Sequence, residues 1–265
     1  SIGKWLLSEY MRLGFAGFIY DFKDTDYTRT AYNLIKRHRY PHKFYYVSFD
    51  RPERSYRFNP LKVVRDRTEL IQLMEDVLLA LLPKKEQQNE WVAGGLGILR
   101  GVAFRFWDEF PEHCTLPHIL AFIMTASARQ LSLFLQQNLV SEMLAGAYLK
   151  AEGSEKTQAS YLSTLCNNLA TVSQNEEIAY VLSGDDFDFN LIDPENPKLF
   201  AVSNNFSKNS VYAPVISMLM TISARQFSMQ NRVPFVYFLD EMTTVNIKNF
   251  ETLPSVLREY KAAFI

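Results

Sequence analysis

The sequence predicts an α/β protein, a mainly parallel sheet with helices on its faces, interrupted by an all-helical insertion. Three observations carry this. The segment up to Phe49 runs helix, strand, helix, strand, and the segment from Lys198 onward runs strand, helix, strand, helix, strand. From about residue 87 to residue 172 only helical periodicity occurs. The most apolar strand, within "VPFVYFLDEMTTV", ends in two adjacent carboxylates, Asp240 and Glu241. Strands that alternate with helices build parallel sheets, because each crossover needs a helix to cover a face.

The elements follow in order. Ser1 to Leu13 reads as a helix, with Trp5, Leu6, Tyr10 and Leu13 at helical spacing and Gly14 as its stop. "AGFIYDF", Ala16 to Phe22, is a short buried strand. Thr25 to His38 is a second helix, with Lys36, Arg37 and His38 in the last turn, where the helix dipole favours cations. "KFYYVSF", Lys43 to Phe49, is a strand, and the turn Phe58-Asn59-Pro60-Leu61 breaks the alternation. Arg67 to Pro83 is an amphipathic helix ended by proline. The helical block reads as 91–110, which keeps its periodicity despite four glycines, 116–126 with Pro117 in its first turn, 128–149 and 156–172. The alternation resumes with a strand over 198–204, a helix over 211–229, a strand over 234–240, a helix over 251–260 and a strand from Ala262. The expected organisation is residues 1–84 as the first part of an α/β nucleotide-binding domain, 85–172 as an inserted all-α domain and 173–265 as the second part.

Composition narrows the function classes. With 265 residues, 48% hydrophobic and 22% charged, the chain is of globular type, and 10 Gly and 11 Pro exclude collagen-like and linker-rich classes. Two cysteines, Cys114 and Cys166, form no framework and no C-x-x-C pair, which points to a reducing compartment. No apolar run reaches the roughly 18 residues of a membrane span, and no signal peptide opens the chain. The chain begins without Met and reads as a piece of a longer protein. Charge is polarised: ten Lys or Arg face three acids between Lys36 and Arg67, and nine acids face one Lys between Glu152 and Glu195. Such polarity can steer a polyanion, or it can be two solvated surfaces.

A parallel sheet places functional groups at the carboxyl ends of its strands. In nucleotidases that cradle phosphates on a glycine-rich loop, a strand-end acid holds Mg²⁺ and a neighbouring Glu polarises the attacking water. Asp240 fits the metal role and Glu241 the water role; the plainer reading is an acid that caps the next helix. The phosphate-cradling pattern G-x-x-x-x-G-K-S/T is missing from the sequence. Gly3-Lys4 lacks the upstream glycine, so Lys4 is a poor phosphate lysine. Ser1–Leu13 is the kind of helix such a loop feeds, so the expectation is that the loop lies immediately before Ser1.

Several short motifs in this order resemble a known family, the type IV secretion coupling proteins or TraG/TraD-type conjugation ATPases, over nearly the whole chain. The family has a strand ending in D-x-K-G; the chain has Asp21-Phe22-Lys23, with Asp24 in place of Gly. It has an Arg on a helix, a strand and an F-N-P-L-like turn, similar to Arg37, Phe44 to Phe49 and Phe58 to Leu61. Its all-α insertion often opens with a Trp, like Trp91, and closes on a pattern similar to "TQASYLSTL", Thr157 to Leu165. Its D-E-F and R-S-Y-G motifs resemble Asp240-Glu241-Met242 and Arg258-Glu259-Tyr260. The resemblance implies a RecA-like P-loop NTPase core that uses ATP and Mg²⁺. It also implies a homo-hexamer on the cytoplasmic face of the inner membrane, its membrane spans outside this chain. That hexamer would recruit relaxosome proteins and drive single-stranded DNA into a type IV secretion channel. The site residues it implies are Glu241 and Arg258 as catalytic, Arg258 reaching a neighbouring subunit's γ-phosphate, Asp240 as the metal residue, and Asp21 and Lys23 near the nucleotide. The rivals are a nucleotide-free docking module on a degenerate ATPase fold and a double-stranded DNA pump of the chromosome-segregation type.

Other constellations carry less. Tyr45, Tyr46, Tyr56 and Phe58 interleave with Lys43, Arg51, Arg54 and Arg57, a mixture suited to single-stranded nucleic acid. Phe44 and Tyr46 are assigned to the core, which leaves Arg51, Arg54 and Arg57 as a polyanion patch or a charged loop. His113, Cys114 and His118 fall one ligand short of a zinc site. Met218, Met220 and Met229 are assigned to one apolar helix in the core.

Overall fold

In the computed structural model of the protein, residues 2–23, 25–82, 86–247 and 250–265 are described. Asp24, which stands where the related motif has glycine, lies outside them. The chain opens with α1 (Ile2–Arg12), β1 (Ala16–Asp21), α2 (Asp26–His38) and β2 (Lys43–Ser48). Eight helices follow: α3 (Arg67–Ala80), α4 (Glu90–Glu109), α5 (Leu116–Thr125), α6 (Ala128–Gln136), α7 (Leu139–Leu144), α8 (Gly146–Lys150), α9 (Glu155–Ser173) and α10 (Glu176–Leu182). β3 (Lys198–Ser203), α11 (Asn209–Arg225), β4 (Phe235–Leu239), α12 (Leu253–Glu259) and β5 (Ala262–Phe264) complete it. Two compact units result, one formed by Ser1–Phe58 with Gly184–Ile265, the other by Asn59–Ser183. The second contains α3, so the unit boundary falls at Asn59, ahead of the residue 84 expected from the sequence.

The first unit is built on one sheet of order β2-β3-β1-β4-β5, every pair parallel. β1 is buried at all six positions, as a central strand covered on both faces must be. Gly17 is required there, because a Cβ would stand 2.9 Å from the Val236 carbonyl oxygen of β4. On one face, Leu7 and Met11 of α1 and Ala31 and Leu34 of α2 pack with Ile19, Leu199, Ala201 and Phe238. On the other face Phe18, Phe200 and Tyr237 meet, and the Tyr237 hydroxyl bonds Ser223 of α11 at 2.9 Å. α1 stops at Gly14, whose φ of 74° suits glycine, while the Phe15 N–H donates back to Tyr10 O at 3.1 Å. Tyr45 is the buried tyrosine of β2, stacked 4.2 Å from Phe187, whereas Phe44 and Tyr46 are half-buried. Phe44 and Tyr46 pack against the core under α1 and α2, as expected, but only in part, and Tyr45 is the more deeply buried because in this edge strand the deeper face is the one opposite α2.

The regular elements described in the second unit are all helices. The run expected as one helix over 128–149 is three. Asn138 ends α6 and caps α7, its side-chain oxygen accepting the Val140 and Ser141 N–H groups, and Ala145 separates α7 from α8. α10 was not expected; Asn175 caps it by accepting from the Ile178 N–H. The glycines of α4 explain how the helix tolerates them: a Cβ on Gly97 would lie 2.8 Å from Leu144 O, so glycine lets α7 approach the α4 backbone. Met229 is the exception to the apolar-helix assignment, since α11 ends at Arg225 and Met229 is exposed.

Candidate functional site

β1 and β4 finish side by side, and their register decides what meets at the edge. Tyr20 pairs with Leu239, so Asp21 and Asp240 are lateral neighbours, and the Asp240 N–H donates to Tyr20 O at 3.0 Å. Side chains alternate along a strand. Asp21 therefore shares a face with Ile19, and Asp240 with Phe238, which is the face covered by α1 and α2. α1 begins at the same edge: a Cβ on Gly3 would lie 2.7 Å from the Tyr27 hydroxyl and 3.4 Å from the Phe238 ring. The positive end of the α1 dipole is thus close to both carboxylates, an arrangement that attracts anions such as phosphate.

Asp21 is fully buried. Its Oδ2 accepts the Thr28 N–H and the Thr28 hydroxyl, both at 2.8 Å, so it caps α2, where Thr25 makes no side-chain cap. Its Oδ1 and the Oδ2 of Asp240 are buried and accept no hydrogen bond among the described residues. Burial pushes the Asp21 carboxyl above its ordinary range, against the Thr28 bonds that hold it down. Burial likewise raises Asp240, with the Lys23 charge opposing and the Asp21 charge adding to the rise. Two carboxylate oxygens without a hydrogen-bond partner at adjacent strand ends are groups that a bound cation could satisfy.

Glu241 follows in a left-handed backbone conformation, φ 53° and ψ 51°. A non-glycine residue held there costs on the order of 1 kcal/mol, strain of the kind that clusters at functional sites. The turn swings the Glu241 side chain to Lys23, whose Nζ lies 2.9 Å from Oε1. Both groups are half exposed, and the bond to Glu241, helped by the Asp240 charge, raises the Lys23 pKa.

A network that sequence reasoning missed holds this turn. The Thr244 hydroxyl donates to Glu241 O at 2.7 Å and lies 2.6 Å from the Tyr20 hydroxyl. Asn204 Nδ2, just past β3, donates to the Tyr20 hydroxyl at 2.8 Å and to Asn209 Oδ1 at 2.7 Å. Asn209 Nδ2 donates in turn to Thr244 O at 3.2 Å. The run of asparagines in "SNNFSKN" after the β3 strand was the available signal.

The remaining expected residues lie elsewhere. Arg258 is exposed in the last turn of α12, and Lys261 leads directly into β5, where its carbonyl accepts the Phe235 N–H. Arg258 thus stands at the amino edge of the sheet, opposite Asp240, and is not part of the carboxylate cluster of its own chain. Lys4 pairs with Asp26 at 2.7 Å. Cys114 is buried and its thiol is pushed up to about 12, which fits a core residue better than a ligand. Among the described residues no group of three or more His, Cys, Asp or Glu is arranged to hold a metal. That set of donors fits no zinc site, and a lone carboxylate such as Asp240 would suit only a cation that keeps water or phosphate as its other ligands, as Mg²⁺ does.

An all-parallel sheet with acidic strand ends at its carboxyl edge, interrupted by a helical unit, defines an α/β protein of the RecA-like NTPase fold. The chain belongs to the type IV secretory system conjugative DNA transfer family, whose sequence profile matches residues 19–265. Among solved structures it is similar to the bacterial conjugative coupling protein TrwBdeltaN70, trigonal form in complex with sulphate, with a TM-score of 0.64 and 14% identity. It is also similar to the plasmid coupling protein TrwB in complex with ADP and Mg²⁺, TM-score 0.63, and with the ATP analogue ADPNP, TM-score 0.64, both 13% identical. Each match covers 94% of this chain and 62% of the other, so the chain spans just under two thirds of the structures it resembles. At these identities the likeness shows the fold alone. No curated protein matches the chain. No helix among the described residues is long and apolar enough to cross a membrane.

Proposed function

We propose that this chain forms most of the motor core of an ATP-hydrolysing coupling protein, which recruits a relaxase–DNA substrate and drives DNA into a type IV secretion channel. The observation that carries the reading is the orphaned, buried Oδ2 of Asp240, beside Asp21 and near the start of α1. Asp240 would hold Mg²⁺, which neutralises phosphate charge when bound. Glu241 would take the proton of the attacking water, which requires its pairing with Lys23 to open. Lys23, once released, would face the phosphates. Asp21 orients α2 through Thr28 and supports Asp240. The Tyr20–Asn204–Thr244 network holds the Glu241 turn. The phosphate-cradling loop that the reading needs is not among residues 1–265, so the test belongs to the full-length protein.

There, Glu241→Gln is expected to cut ATP turnover by about 10²–10⁴-fold, the usual worth of a general base, while nucleotide still binds. Turnover equal to the parent's would remove Glu241 from the mechanism. Arg258, on the edge opposite the carboxylates, would act on a neighbouring subunit in a hexameric ring on the cytoplasmic face of the inner membrane. Mixing Arg258→Ala subunits with Glu241→Gln subunits should restore part of the activity, because intact carboxylates then meet an intact arginine at some interfaces. No recovery in mixed rings would sink the role in trans. The Lys23–Glu241 ion pair favours one alternative, a docking module whose glutamate is structural. That alternative predicts no nucleotide binding by the parent.

A further inference from the structure

A cleft of about 570 Å³ lies beside the edge strand β2 of the α/β unit. Its floor is Phe44 and Tyr46, whose rings face α2 and pack only partly into the core. One wall is the outer face of α2, carrying Arg29 and Tyr32. The opposite wall is the segment that returns along β2, where the Tyr56 N–H donates to Tyr46 O at 3.0 Å and Arg54 stands on the rim. Tyr32 is 63% exposed and Tyr56 44% exposed, so both walls offer a ring to solvent together with a guanidinium.

Rings on two walls suit a flat π system, and a guanidinium on each wall suits the phosphate attached to it. The shared chemistry is that of a nucleotide. The chain that forms this unit favours a strand over a free nucleotide, because Lys36 to Arg57, which includes β2 and the Arg54 rim, carries seven Lys or Arg against two acids. Tyr32 lies one helical turn beyond Thr28, whose N–H and hydroxyl hold Asp21, so the cleft opens close to the carboxylate edge.

We propose that this cleft binds one nucleotide of a single-stranded nucleic acid, its base against Tyr32 and Tyr56 and its phosphate met by Arg29 and Arg54. The proposal rests on the reading of the chain as part of a DNA-handling protein, but not on ATP hydrolysis. It is tested on the full-length protein without nucleotide, by fluorescence anisotropy of a labelled oligo(dT). Tyr32→Ala and Arg54→Ala should each weaken binding about fivefold or more. Arg54→Ala should also lower the slope of log affinity against log salt by about one, while Arg129→Ala, which removes an exposed charge in the helical unit, should leave the affinity unchanged. A 5-iodouracil oligonucleotide should cross-link to Tyr32 or Tyr56. Parent-like affinity in both variants, a parent that binds no strand, or cross-links confined to other peptides overturns the proposal. So does competition by thymidine monophosphate at the same concentration per base, which would make this a free-nucleotide site. A change in sedimentation with strand affinity intact would make the cleft a contact between copies and overturn it too. Because binding is read without ATP, an inactive carboxylate site leaves the outcome unaffected.

Discussion

Arg105 in the helical unit and Asp240 at the edge of the sheet both carry charge into buried surroundings, and the fold treats them in opposite ways. The Arg105 Nε donates to Glu109 at 2.9 Å, its guanidinium reaches the Phe134 carbonyl, and it lies 4.1 Å from the centre of the Phe134 ring. Several helix starts of that unit are closed by side chains as well, at Asn89, Thr115, Ser127, Asn138 and Asn175, though those of α8 and α9 are not. Asp240 and Asp21 each keep a buried oxygen with no partner among the described residues. Arg100 Nε shares that condition in the helical unit, but its guanidinium is tied to Glu75 through Nη2 at 2.5 Å. The difference separates two uses of a polar side chain. In the helical unit polar groups complete the fold. At the sheet edge they are left incomplete, and an incomplete buried carboxylate is tolerable where a ligand finishes it.

The strongest way to break this contrast is Asp240→Asn. Turnover of the full-length protein should fall about a hundredfold or more, a loss of a few kcal/mol of charge stabilisation in the transition state. Thermal stability should stay level or rise, because the substitution removes a charge that burial disfavours. A clear loss of stability would show that Asp240 is structural after all. The helical unit should respond the other way. Gly97→Val presses a side chain against the Leu144 carbonyl, where a Cβ has only 2.8 Å, and overpacking of this kind costs about 1–3 kcal/mol. Denaturant unfolding followed by circular dichroism reads this cost. A variant as stable as the parent would mean that α7 yields easily and that the glycines of α4 are not packing residues.

The same contrast explains what could be read in the sequence. The order of strands and helices was legible because burial on both faces writes long apolar runs into β1 and β4, and the acids that end the β4 run stand out against it. The partners of those acids were not. Asp21 serves Thr28 only because α2 turns back over the sheet, and Lys23 reaches Glu241 only because β1 and β4 are neighbours and the Glu241 backbone is left-handed. Tyr20, Asn204 and Thr244 come from three strand ends that meet through sheet order alone. Asn138 carried a cap signal, yet it sat inside a run whose apolar spacing continued across it, so periodicity concealed the break. α10, at seven residues, is too short for periodicity to reveal.

The smallest expected effect is also the one that best separates the two carboxylates. Asp21→Ala removes the acceptor of two Thr28 hydrogen bonds and should cost about 1–2 kcal/mol, the range of a lost helix cap. Asp21→Asn keeps an acceptor and removes the charge, so it should cost less, and the gap between it and the parent should depend on pH. Burial raises the Asp21 pKa above its ordinary 3.8, so the native state holds the proton more tightly than the unfolded chain does. Parent stability therefore falls as pH rises from 3.8 through the raised native value, and it is flat on either side of that window. The Asn variant lacks this dependence, and it should gain on the parent across the window and hold the gain above it. Denaturant midpoints measured across that range for parent, Asn and Ala variants decide the matter. A parent that instead gains on Asp21→Asn as pH rises would mean that its charge is stabilised in the fold, and Asp21 would then be a satisfied cap with no share in the chemistry proposed for Asp240.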